Sequence, residues 1–179
     1  MITLPDSGTP AAVGFAEAAG IPFVEGMIKS RYITRTFIQP TQRLRESGTR
    51  LKFNPMRHVL EGKRVVLVDD SIVRGTTSRK IVRMVRDAGA AEIHVRITAP
   101  PTAWPCHYGI DTPNRDELLA ANNSIDEMNA FIGSDSLEYI TLANLRSAIQ
   151  LDGECCDACL TGSYPAPIPV TIGAVGSRW

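Results

Sequence analysis

Two adjacent carboxylates, Asp69 and Asp70, head a run of small and hydroxyl-bearing residues that includes Ser71, Gly75, Thr76 and Thr77. Hydroxyls and backbone N–H groups gathered ahead of a helix hold an anion, because unpaired N–H donors and the positive end of the helix dipole converge there. A bare phosphate would be repelled by the two acids. A ligand that carries sugar hydroxyls, a phosphate and a bound magnesium ion would not, since carboxylates accept hydrogen bonds from vicinal hydroxyls or hold a hydrated magnesium ion. A ribose phosphate meets that description, with its 5-phosphate on Ser71, Thr76, Thr77 and the local N–H groups. A Walker loop is excluded, because no Gly-Lys-Ser/Thr is present to reach a β- or γ-phosphate. The competing reading is an Asp-Asp turn that closes a buried strand, with hydroxyls capping a helix.

The flanking residues must position this constellation. Val65 to Val68 are consecutive apolar residues without polar alternation, which suits a strand buried on both faces of a mainly parallel sheet. After the loop, Ile81, Val85 and Ala88 share one helical face, and Gly89 ends that helix. Upstream, Ile2 to Leu4 reads as the end of a strand and Pro5 to Gly8 as a tight loop. A helix follows whose face includes Ala12, Phe15, Ala16 and Ala19, with Gly20 as its stop. Asp6 or Ser7 could serve there as an N-cap. Ile21 to Glu25 reads as a second strand, and Glu61 to Arg64 as a turn ahead of the central one.

Glu92 to Ala99 alternates polar and apolar, which predicts a half-exposed strand near the sheet edge with His94 on its polar face. Pro100 to Pro113 is irregular, and His107 within it reads as structural or surface. Capping boxes at Asn114/Glu117 and Ser124/Glu127 predict two helices, the second stopping at Gly133. Leu137 to Ile140 is a short strand, and Thr141 opens a helix with Leu142, Leu145 and Ile149 inward. Thr161 to Trp179 reads as tail. The fold class is α/β, a mainly parallel central sheet flanked by helices.

Composition bounds the function. With 19 basic and 19 acidic residues in 179, the net charge is zero, which argues against a general nucleic-acid binder. The absence of a run of about 18 apolar residues, or of a basic start leading into an apolar core, predicts a soluble cytoplasmic protein without membrane partners. The charge is nevertheless uneven. Lys29 to Arg57 holds Lys29, Arg31, Arg35, Arg43, Arg45, Arg50, Lys52 and Arg57 against one acid, Glu46. Such a segment concentrates a polyanion, unless it is simply a solvated basic loop.

The run Val65 to Thr77 resembles the phosphoribosyl-pyrophosphate (PRPP) signature of type I phosphoribosyltransferases. Its longer form, Val68-Asp-Asp-Ser-Ile-Val-Arg-Gly-Thr-Thr77, is similar to the amidophosphoribosyltransferases, the glutamine PRPP amidotransferase family. The resemblance implies that family's fold and PRPP contacts at Asp69, Asp70, Ser71, Arg74, Gly75, Thr76 and Thr77. It also implies a magnesium site at Asp69, Asp70 and Ser7, the last from the family's Pro-Asp-Ser loop on the pyrophosphate. Lys29-Ser-Arg-Tyr32 and Arg35-Thr-Phe-Ile38 resemble the family's mobile loop, which implies ligand contacts from Lys29, Arg31 and Tyr32. Such a lid would bring cations to the leaving pyrophosphate and exclude water.

The implied reaction is transfer of the phosphoribosyl group to ammonia derived from glutamine, giving 5-phosphoribosylamine and pyrophosphate, the first step of purine synthesis. No covalent protein nucleophile is involved. Purine nucleotides as feedback inhibitors and a homo-oligomeric full-length protein are further implications. The domain reading is an N-terminally truncated phosphoribosyltransferase domain over 1–150, with the basic loop at about 29–57, and a cysteine-containing segment and tail over 151–179. The family's N-terminal glutaminase domain has no counterpart here, so the chain resembles a C-terminal fragment that would not use glutamine. The rivals are a base-salvage phosphoribosyltransferase and a non-enzymatic PRPP-binding regulator.

Four cysteines, Cys106, Cys155, Cys156 and Cys159, are too few and too clustered for a secreted disulfide scaffold. One C-x-x-C pair is consistent with zinc, redox chemistry or no function. In the resembling family, a subset binds a 4Fe–4S cluster through cysteines like Cys106, Cys156 and Cys159. Its fourth ligand lies upstream of the Pro-Asp-Ser loop and has no match here, and Cys155 is too close to Cys156 to take that corner.

Overall fold

The computed structural model describes residues 1–30, 52–112, 114–150 and 155–168. Arg31 and Tyr32, with most of the basic segment, lie outside them, as do residues 169–179. In chain order the elements are β1 (Ile2–Thr3), α1 (Thr9–Ala19), β2 (Met27–Lys29), β3 (Phe53–Pro55), α2 (Arg57–Leu60), β4 (Arg64–Asp69), α3 (Thr76–Asp87) and β5 (Glu92–Ile97). A 3₁₀ turn (Arg115–Glu117) follows, then α4 (Leu119–Asn122), α5 (Ile125–Ile132), β6 (Ser136–Tyr139), α6 (Leu142–Ile149) and α7 (Ala158–Thr161). Among the described residues no helix is long and apolar enough to cross a membrane.

The apolar run forms β4, and β4 lies inside a four-stranded parallel sheet of order β1-β4-β5-β6. Its two faces enter different clusters, which is why no polar residue interrupts it. Val65 and Leu67 join Ile81, Val82 and Val85 of α3, Ile93 and Val95 of β5, and Met128 and Ile132 of α5. Val68, on the other face, packs with Met1 and with Ala12 and Ala16 of α1, the partly buried Val66 lying against them. Small residues let α1 approach the strand closely, whereas Phe15 and Ala19, expected on that face, are exposed. Gly20 ends α1 in the left-handed conformation, as expected.

The short second sheet differs from the expected strand at Ile21 to Glu25. Pro22 has no N–H to give to a ladder, and the N–H groups of Ile21 and Val24 are spent on Ala16 O and Met1 O. The strand begins later, as β2, and pairs antiparallel with β3. A second correction concerns β5, which lies between β4 and β6 rather than at an edge. Its alternation arises because Ile93, Val95 and Ile97 face the core, while Glu92, His94 and Arg96 engage polar neighbours. The His94 ring meets Ser136 Oγ and Glu92 Oε2 at 2.9 Å each, and Glu92 also pairs with Arg64 at 2.7 Å.

Of the two expected capping boxes one forms. The Ser124 hydroxyl accepts from the Glu127 N–H at 3.3 Å, and the Ser124 N–H donates to Glu127 Oε2 at 2.7 Å. Ser124→Ala is expected to cost about 1 kcal/mol in urea unfolding, the usual value of an N-cap. Asn114 makes no cap over its short 3₁₀ turn. Thr141 does cap α6, accepting from the Asn144 N–H at 3.1 Å, but no residue of α6 is buried, Leu142 and Leu145 being only partly covered and Ile149 exposed.

The start of the expected tail is packed. A Cβ on Gly162 would stand 2.7 Å from the Trp104 indole, the Tyr164 hydroxyl donates to Pro105 O at 2.8 Å, and the Ala166 N–H donates to the Tyr108 hydroxyl at 3.2 Å. The Ala103 and Trp104 N–H groups both donate to Cys159 O at 3.1 Å. His107 takes a structural place here, its ring 5.0 Å from that of Tyr164. Pairing with aromatic neighbours across the Pro-rich loop offsets the lack of regular structure in this segment.

Candidate functional site

At the carboxyl end of β4 the backbone is pinned by the neighbouring strand, because the Thr98 N–H donates to Asp69 O at 3.1 Å. Ligands of open parallel sheets bind beyond this end of the strands. Asp69 is buried, 8% exposed, and its Oδ1 accepts from the Asp70 N–H at 2.8 Å. Burial pushes its carboxyl up to about 7; the Asp70 N–H bond opposes the shift and the Asp70 charge adds to it. The Ser71 hydroxyl donates to Asp70 Oδ1 at 3.1 Å, which fixes the second acid beside the first. Neither carboxylate has an ion-pair partner among the described residues.

The loop from Ser71 then turns into α3 through Gly75, whose φ of 71° falls where a side chain is disfavoured. A Cβ there would also lie 2.6 Å from Leu119 Cδ2. No side chain caps α3, so the N–H groups of its first turn are left for a ligand.

The second wall comes from the loop after β1. A Cβ on Gly8 would stand 2.9 Å from Thr3 Oγ1, 3.0 Å from Val68 O and 3.2 Å from Asp69 Cα. The absence of that atom lets the loop lie against the end of β4. Gly8 itself is the N-cap of α1 and no side chain caps the helix, so neither Asp6 nor Ser7 has the capping role. Lys29 of β2 reaches across to Asp6 Oδ2 at 2.6 Å.

These parts enclose a cleft of about 850 Å³. Ser7, Lys29, Asp69, Asp70, Ser71, Arg74, Gly75, Thr76 and Thr77, all expected from the sequence, line it together. Arg31 and Tyr32 fall outside the described residues. Asp6, Lys52 and Phe53 also line it, without having been singled out as ligand contacts. Asp6 and Gly8 flank Ser7 in the tight loop, and that adjacency was the available signal. For Lys52 and Phe53 there was only the basic segment, which does not say which cations approach.

Cys106 and Cys159 lie elsewhere, near Tyr164, with Cys159 O accepting from the Trp104 N–H. All four cysteines are free thiols. Burial raises the Cys159 thiol, and Cys106 and Cys156 add to the effect, so the three are neighbours. Among the described residues no set of three or more His, Cys, Asp or Glu side chains is gathered closely enough to hold a metal ion. The Asp69–Asp70 pair offers two carboxylates, a number sufficient for magnesium that keeps several of its waters.

Comparison with known proteins agrees with this geometry. The phosphoribosyl transferase domain family matches residues 1–102. The chain is 55% identical over 173 residues to the amidophosphoribosyltransferase of Synechococcus elongatus, covering 96% of this chain and 35% of that protein. It is 54% identical over 170 residues to that of Bacillus subtilis, covering 92% and 36%. The solved structure of glutamine PRPP amidotransferase from B. subtilis complexed with ADP and GMP is similar with a TM-score of 0.82 at 53% identity, over 93% of this chain and 38% of that one. The chain thus spans about a third of the length of the curated relatives it matches. With the match running over more than half of its residues and through both walls of the cleft, the chain belongs to the phosphoribosyl transferase domain family.

Proposed function

We propose that this chain is the phosphoribosyltransferase part of an amidophosphoribosyltransferase, which joins ammonia to C1 of PRPP and releases pyrophosphate. The observation that carries this reading is the buried Asp69 beside Asp70, with no ion-pair partner for either among the described residues, at the head of a hydroxyl loop and an uncapped helix N-terminus. Such a pair is an unfavourable thing to bury unless a ligand supplies positive charge or hydroxyl donors. Magnesium, carried in with PRPP, fits: Asp69, Asp70 and Ser7 would hold it, and it would neutralise charge on the departing pyrophosphate.

The chain's own residues bind and orient. Asp69 and Asp70 accept from the ribose hydroxyls, and Ser71, Thr76, Thr77 and the first-turn N–H groups of α3 take the 5-phosphate. Ser7 and Lys29 face the pyrophosphate. As the C1–O bond breaks, negative charge grows on pyrophosphate and positive charge on the ribose ring, so a fixed cation at Lys29 and fixed carboxylates beneath the sugar stabilise both ends. Ammonia bonds to C1 as the C1–O bond to pyrophosphate breaks, and the proton it sheds passes to the departing pyrophosphate or to solvent, giving the amine.

In the whole protein the ammonia would come from glutamine and the product would enter purine synthesis. No cysteine of this chain is given the glutaminase role. Purine nucleotides are proposed as regulatory ligands, since the B. subtilis relative was solved with ADP and GMP. A homo-oligomeric whole protein also belongs to this reading, and free thiols at all four cysteines suit a cytoplasmic setting. Cys106, Cys156 and Cys159 do not form a ligand set among the described residues, so no step is assigned to an iron–sulfur cluster.

Calorimetry of the 179-residue chain with PRPP and magnesium is expected to give a binding heat, and ammonium salts are expected to release pyrophosphate while glutamine does not. No heat from the folded chain overturns the proposal. Pyrophosphate release driven by a purine base or orotate would move it to base salvage, and binding without any turnover would make it a PRPP-binding regulator.

A further inference from the structure

Arg74 lines the cleft, yet its guanidinium is held from outside the signature. Its Nε donates to Glu117 Oε2 at 2.6 Å, while neither Nη group has a partner among the described residues. Glu117 sits at the end of the 3₁₀ turn, forty-three positions downstream. The same stretch grips the loop twice more. The Leu119 N–H donates to Val73 O at 2.9 Å, and the Leu119 side chain, with Phe131, fills the space beside Gly75.

The three contacts bear on three consecutive residues of the loop. An exposed ion pair of this kind contributes little to stability, since both side chains are 46% exposed. Its consequence lies in direction. An arginine pinned through Nε presents its two Nη groups as a planar fork, the arrangement that grips a phosphate through two parallel hydrogen bonds. Free in solvent, the same side chain would lose rotamer entropy on each binding event.

Resting on the PRPP reading above, we propose that Glu117 is a positioning residue for PRPP: it holds Arg74 with its Nη fork available to a phosphate oxygen of the ligand. The carboxylate does not touch the ligand. Its negative charge would by itself repel a polyanion, so a purely electrostatic role predicts tighter binding when it is removed, and the positioning role predicts weaker binding.

The test is a double-mutant cycle on the full chain, with PRPP–magnesium affinity by calorimetry and urea unfolding in parallel. Glu117→Ala is expected to weaken binding about tenfold with little change in unfolding, a size in keeping with losing a pre-set charged contact. Glu117→Gln, which keeps an acceptor for Nε, is expected to recover most of the affinity. Arg74→Lys, which keeps the charge but not the fork, is expected to lose as much as Glu117→Ala. In an Arg74→Ala background the effect of Glu117→Ala is expected to vanish. Equal weakening in both backgrounds, or tighter binding by Glu117→Ala alone, overturns the inference and leaves the PRPP reading intact. A wild-type chain that does not bind PRPP overturns both.

Discussion

Asp69→Asn is expected to abolish PRPP–magnesium binding, by about a hundredfold or more in affinity, and at the same time to make the ligand-free protein more stable above pH 7. The two effects share one cause. On the proposed reading this carboxylate would hold metal and sugar hydroxyls, so its removal would delete a charge-assisted contact at the centre of the cleft. In the empty protein the same carboxylate is buried beside a second acid, with its pKa raised from an ordinary 3.8 to about 7. The folded state therefore holds a proton that the unfolded state has already lost through that interval. This group's contribution to stability is complete below about pH 4, declines as pH rises toward 7, and is level above it. Each pH unit in that interval costs about 1.4 kcal/mol, so the asparagine variant, which does not titrate, should gain on the order of a few kcal/mol at pH 8. Urea unfolding in EDTA at pH 5 and pH 8 measures this. A variant less stable than wild type at pH 8 would mean that Asp69 is compensated in the empty cleft.

Gly8→Val is expected to destabilise the fold by roughly 1–3 kcal/mol, the range of an overpacked core position, and to remove PRPP binding with it. The comparison with Gly75 explains why. At Gly75 the nearest obstacle is the tip of Leu119, which can rotate away, although the positive φ still opposes a side chain. At Gly8 two of the three obstacles are Val68 O and Asp69 Cα, backbone atoms of the central strand that cannot yield without moving the acids. The added side chain must push the loop off the strand, and Ser7 moves with it. Thermal unfolding and calorimetry of this variant test the claim; a stable variant with unchanged affinity would show that the loop is free to stand elsewhere.

The central strand and its loop were legible because each residue type there answers one requirement. An uninterrupted apolar run demands cover on both faces, and paired acids before hydroxyls demand a ligand that tolerates them. What stayed hidden depends on distance across the chain. The alternation of β5 correctly gave its two environments but not its neighbours, since one polar sheet face looks the same at an edge and beside β6. Pro22 placed a strand out of reach where hydrophobicity alone suggested one. Glu117 was legible as part of a capping box, a local partnership, and took Arg74 instead. Gly8 looks like any turn glycine until Val68 stands against it. The packing of Gly162 on Trp104 and of Tyr164 on His107 and Tyr108 was likewise invisible in a stretch whose prolines suggested a tail.

The loop after β1 and the loop after β4 are some sixty residues apart in sequence and meet through the parallel pairing of Ile2 and Thr3 with Leu67 and Val68. Closing so long a connection costs chain entropy before any local contact repays it, and a two-residue strand repays little. A ligand that touches Ser7 on one side and Asp69 to Thr77 on the other spans that same gap. PRPP would therefore act on this chain as a fastening as well as a substrate, adding its binding energy to the weakest seam of the sheet.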